Sequence, residues 1–96
     1  MKQYKISFGT GAKRTFMEIS GHPVKIEGFE GIEFFAHRDK DDPEFWKVSE
    51  ATTGALVSLR ANIHIRKTDA IRAAKEILER HGIEAVKEKL LALVAK

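Results

Sequence analysis

The chain contains no cysteine. That excludes disulfides, thiolate metal sites and cysteine nucleophiles, and leaves no sign of an oxidising compartment, so the cytoplasm is the expected location. No apolar run approaches the ~20 residues that a membrane span requires, and the start, Met1-Lys2-Gln3-Tyr4-Lys5-Ile6, has no apolar stretch of signal-peptide length. Neither an anchor nor a targeting segment is expected. Internal repeats and low-complexity segments are missing too. Net charge is small at +3, which makes no case for strong non-specific binding to nucleic acid.

What is present is ordinary globular material. The chain is 43% hydrophobic and 32% charged over 96 residues, a composition that buries a core without covalent staples, so residues 1–96 read as a single domain. The charge is unevenly spread. Residues 1–17 sum to +4, residues 18–50 to −5 and residues 51–96 to +4, an order that creates patches able to steer a charged partner.

Tyr4, Ile6 and Phe8 alternate with Lys5 and Ser7, the period of a half-buried strand, and Gly9-Thr10-Gly11 then turns the chain into a second strand over 13–19. Ser20-Gly21-His22-Pro23 predicts a further turn, with Val24 and Ile26 opening another short strand. Residues 32–38 form the clearest strand. Phe35 gives it apolar character on both faces. After a polar loop at 39–44, residues 45–50 and 55–59 pair around Thr52-Thr53-Gly54, and Ile63-His64-Ile65 makes a short extended piece.

At Thr68 the period becomes helical. Thr68 is the predicted N-cap, Ile71, Ala74, Ile77 and Leu78 share one stripe, Arg72 pairs with Glu76 and Glu76 with Arg80, and Gly82 ends the helix with Ile83 meeting Leu78. A second helix follows with Val86, Leu90, Leu93 and Val94 on its apolar side and Leu91 left over as a surface for a partner helix. The expected fold is α+β: a twisted antiparallel sheet of about five or six strands, built as hairpins, followed by two C-terminal helices packed on one face. Trp46 is expected in the sheet-to-helix core beside Ile71, Leu78 and Leu90.

Candidate chemical sites mostly fail on spacing. Gly9-Thr10-Gly11-Ala12-Lys13-Arg14-Thr15 has glycines and a lysine after a strand but lacks the four-residue gap and following helix of a phosphate-binding loop. Asp39, Asp41 and Glu50 fit the ends of a calcium-loop count, yet Pro43 and Glu44 fill its middle. His22, His37, His64 and His81 have no zinc-ligand spacing. His37 with Ser49 and Asp39 suggests a hydrolytic triad without a nucleophile elbow. Phe34, Phe35, Phe45 and Trp46, with Arg38 and Lys47 nearby, either stack bases or form the core, and packing is the preferred reading. No cofactor is expected.

Arg60, Arg66, Lys67 and Arg72 gather around the first helix N-terminus, and Lys13 and Arg14 lie at the first hairpin; together they are the candidate phosphate or nucleic-acid contacts. Residues 66–74 are similar to the start of the second helix of double-stranded RNA-binding domains, although the N-terminal helix of that family is missing and Asp69 stands where phosphate would lie. A wider resemblance rests on Gly28-Phe29-Glu30-Gly31-Ile32-Glu33-Phe34-Phe35-Ala36-His37-Arg38, Trp46-Lys47-Val48-Ser49-Glu50-Ala51-Thr52-Thr53-Gly54 and Thr68-Asp69-Ala70-Ile71 with Ala74 and Leu78. Over residues 28–82 these resemble small uncharacterised accessory proteins of bacterial phages and mobile elements. The resemblance implies a protein that binds something of the host or the element, and assigns no residue a role.

The sequence therefore reads as a non-catalytic binding module that meets a protein partner or forms a weak homodimer. A nucleic-acid-binding domain with weak affinity is the alternative, and a small enzyme the third reading.

Overall fold

The computed structural model describes residues 2–8, 15–39, 41–57 and 65–94. Alternation of Tyr4 and Ile6 with polar neighbours gives β1 (Lys2–Phe8), which pairs antiparallel with β2 (Thr15–Val24) from Lys2↔Gly21 to Phe8↔Thr15. β2 pairs antiparallel with β3 (Phe34–Arg38), Gly21↔His37 to Val24↔Phe34, and β3 with β4 (Trp46–Glu50), Phe34↔Glu50 to Arg38↔Trp46. The order β1-β2-β3-β4 makes one meander.

The turn predicted at Ser20-Gly21-His22-Pro23 is instead the interior of β2. This strand changes partner there: Gly21 is registered with both Lys2 and His37. A Cβ at Gly21 would stand 2.9 Å from Phe35 Cδ2 and 3.0 Å from the Ala36 carbonyl oxygen, so only a glycine lets the neighbouring chain approach this closely. Four strands are formed among the described residues, where five or six were predicted. Ile26 lies beyond β2 rather than in a strand of its own, and residues 55–57 return along β4 through a single bridge, Ser49↔Leu56. The remainder of that segment, 58–64, and the first hairpin turn, 9–14, lie outside the described residues.

α1 (Lys67–His81) begins two residues earlier than predicted. Arg66, not Thr68, is its N-cap, and no side chain bonds the free N–H groups there. Arg72 turns back to Asp69 at 4.0 Å instead of reaching Glu76. Gly82 ends the helix as predicted, its N–H donating to the Leu78 carbonyl at 2.8 Å, while its own carbonyl accepts from Val86 at 3.1 Å and so starts α2 (Ile83–Val94).

β3 is buried on both faces. On one, Phe34, Ala36 and Val48 pack with Ile26, Phe29, Ala70, Ala74 and Leu78, and Ile83 and Val86 of α2 lean on the same cluster. Both helices thus lie on one side of the sheet, α1 on β3 and β4 and α2 against α1. On the other face Phe35 packs with Tyr4 and Ile6, its ring stacked on Tyr4 at 4.1 Å and 2°. Phe34 and Phe35 are 1% and 0% exposed, each burial contributing roughly 2–3 kcal/mol. No described helix lies over this second core; Tyr4 of β1 stacks on Phe35 instead, and Ser7 N–H donates to the Gly54 carbonyl at 2.9 Å, tying β1 to the turn after β4.

Trp46 is only half-buried, at the margin of the first core. Its neighbours are Arg38, His22 and Lys67 at the N-terminal end of α1, which corrects the predicted setting among Leu78 and Leu90 near the other end of the helix layer. No described helix is long and apolar enough to cross a membrane.

Candidate functional site

The β3–β4 register sets Arg38 opposite Trp46, and the Arg38 guanidinium lies 4.4 Å from the indole centroid. Lys67, the first residue of α1, places its ammonium 6.0 Å from the same ring, and the His22 imidazole of β2 is 5.9 Å away. Four elements thus bring a basic and aromatic cluster together beside the α1 N-terminus, next to exposed Arg66. Its cations are already engaged. Arg38 also donates to the Pro43 carbonyl at 3.2 Å, and Arg72 pairs with Asp69. The acidic loop holding Asp39, Asp41, Asp42 and Glu44 adjoins Arg38 and opposes an incoming phosphate. Lys13, Arg14 and Arg60, the other predicted contacts, lie outside the described residues.

The predicted meeting of His37 and Ser49 does occur, and Asp39 acts on His37 through its charge without being hydrogen-bonded to the pair. His37 Nε2 lies 2.8 Å from Ser49 Oγ and Nδ1 lies 2.9 Å from the Arg38 carbonyl, which can only accept, so Nδ1 carries the proton and Ser49 donates to Nε2. Burial pushes the imidazole below its ordinary value of about 6.5, Lys47 adding to the effect and the Arg38 carbonyl and Asp39 opposing it. Asp39 instead accepts the N–H groups of Asp41 at 2.8 Å and Asp42 at 3.2 Å. Burial alone would raise its pKa, but these two bonds, with Lys47 and His37, hold it below the usual carboxylate value. Ser49 is 1% and His37 3% exposed. Enclosed in this way, the two side chains form a buried cross-strand link.

The calcium-loop count dissolves in the same way. Glu50, which sits at its twelfth place, accepts from Thr52 N–H, from Thr53 N–H at 2.8 Å and from the Thr53 hydroxyl at 2.7 Å. Its carboxylate therefore organises the turn that presents Gly54 to β1, some distance from Asp39 at the far end of the strand.

Two openings flank α2. One groove of about 410 Å³ runs between α1, α2 and residues 55–57, with Phe34 at its base and Leu78, Val86 and Leu90 in its wall. A second, about 300 Å³, lies on the Leu91 side, bounded by Ile32, Thr53, Lys87 and Leu90. Among residues 83–92 of α2 no side chain is fully buried, and Leu91 is 69% exposed. Leu91 was legible from an excess of apolar residues over one packed stripe. The side chains of Leu93 and Val94 lie outside the described residues. Sequence reasoning missed the His22 contact with Trp46 and the tie between Ser7 and Gly54; the first follows only once β2 is known to run through Gly21. In comparison with known proteins, no family model matches the chain, and no curated protein and no solved structure is similar to it.

Proposed function

We propose that this chain is a non-catalytic binding module whose outward α2 surface, centred on Leu91, meets a protein surface. The observation that carries the reading is the 69% exposure of Leu91 on a helix whose other described large apolar side chains, Ile83, Val86 and Leu90, are only partly covered. A large apolar side chain held out at the rim of an open groove is a feature of interaction surfaces. Enclosure of His37 and Ser49 argues against hydrolytic chemistry. The resemblance of residues 28–82 to accessory proteins of phages and mobile elements supports the same reading of a binding module.

One observation favours a second reading. Arg38 and Lys67 lie against Trp46 at a helix N-terminus with Arg66 exposed beside it, an arrangement that suits weak contact with nucleic acid. The two readings separate in one experiment: affinity capture from cell extract with the wild-type chain, Leu91→Lys and the double variant Arg66→Glu, Lys67→Glu, each with and without nuclease. The first reading expects retained protein that survives nuclease and is lost only with Leu91→Lys. Retention that disappears with nuclease and with the double variant transfers the function to the basic cluster.

A further inference from the structure

We infer that the occupant of the outward α2 face is α2 of a second copy of this chain, laid antiparallel about a twofold axis between Lys87 and Glu88. The inference rests on the reading of α2 as the binding face. Glu84, Lys87, Glu88 and Leu91 are all exposed and, at helical spacing, share one arc of α2. A parallel, in-register pair would set each of them against its own copy, glutamate on glutamate and lysine on lysine. The antiparallel pair sets Lys87 of each chain opposite Glu88 of the other, twice. Each Leu91 then lies over the first turn of the opposite helix, on the aliphatic stems of Glu84 and Lys87. The arc is thus complementary to itself in one orientation and repels itself in the other.

Size decides the strength. Twelve residues make a helix only ~18 Å long, and one such crossing covers a few hundred Å², well below the ~800 Å² per partner of a stable complex. The dimer is therefore weak, with a dissociation constant of about 0.1 mM or higher.

Sedimentation equilibrium over a wide concentration range tests this with four samples: wild type, Lys87→Glu, Glu88→Lys, and an equal mixture of the two variants. Both substitutions are at exposed helix positions, and far-UV circular dichroism checks that the fold is kept. Either reversal alone creates two like-charge contacts and weakens self-association at least about tenfold. The mixture recovers association of wild-type strength, because two acids at these positions in one chain now face two bases in the other. A mixture no more associated than its components, or a wild-type chain that stays monomeric throughout, overturns the second-copy arrangement. Neither result touches the wider reading, which fails instead if Leu91→Lys leaves the capture of protein partners unchanged.

Discussion

Ser49 donates its hydroxyl to His37 Nε2 across the β3–β4 hairpin, on a diagonal, because the register pairs Ser49 with Phe35 and His37 with Lys47. With Nδ1–H given to the Arg38 carbonyl, the neutral imidazole has both nitrogens satisfied inside the sheet. Protonation would remove the acceptor that Ser49 uses and place a charge beside Lys47.

Stability should therefore depend on pH through this residue. The folded pKa is depressed, so the contribution of His37 is fully present above the unfolded value of about 6.5 and is lost as the pH falls through that value toward the folded one, where only the unfolded imidazole takes a proton. Asp39, also depressed, adds a second loss in the more acidic range of carboxylates. Urea midpoints at pH 7.5, 6 and 5 should decline for the wild type and change less for His37→Gln. Identical declines in both would place the acid response elsewhere.

Gly54 should tolerate no side chain. Its φ is +72°, and a Cβ would stand 2.6 Å from the Lys5 carbonyl oxygen and 2.8 Å from the Ser7 nitrogen, at the tie between β1 and the turn after β4. Gly54→Ala is expected to cost about 2–4 kcal/mol, from backbone strain together with loss of that contact. Gly28→Ala is the control, since its φ is +89° with open space around it, and should cost about 1 kcal/mol. Chemical denaturation of the two variants separates close approach from strain; equal losses would mean that the clash at Gly54 is relieved without cost.

The Tyr4 ring stacks on Phe35, yet its buried hydroxyl has no hydrogen-bond partner among the described residues. Removing an unsatisfied polar atom from a core costs nothing in bonding, so Tyr4→Phe should leave stability unchanged or raise it by up to about 1 kcal/mol. Tyr4→Ala, which empties the site under β1, should lose about 3–5 kcal/mol. Thermal melts report both, and a clear loss in the phenylalanine variant would reveal a bond made by the hydroxyl.

Local pattern carried the sequence reading as far as local pattern reaches. Alternation found β1, β3 and β4, and the glycine at 82 marked the junction of the helices, because each signal lies within a few residues. Pro23 misled for a physical reason: it predicts a break, but its missing N–H is tolerated near the end of β2, and the close packing on Gly21 comes from Phe35 and Ala36, distant in sequence. Lys67 meets Trp46 across some twenty positions of chain, a contact that only the folded sheet creates. Leu91 was the exception, since an apolar residue in excess of what one helix face buries is visible in composition alone.

The junction at Gly82 also acts as a lever. One residue closes α1 and opens α2, with φ 80° and ψ 154°, a backbone state that side-chain-bearing residues rarely enter. Leu91 stands nine residues beyond it, ~13 Å along the helix axis. A rotation of only ~20° at this single residue would sweep Leu91 through roughly 5 Å, about the spacing of one helical turn. The aim of the candidate interface thus depends on these two torsion angles together with the seating of Ile83 and Val86 on the core, which makes Gly82 a residue whose replacement would redirect the surface without altering any side chain on it.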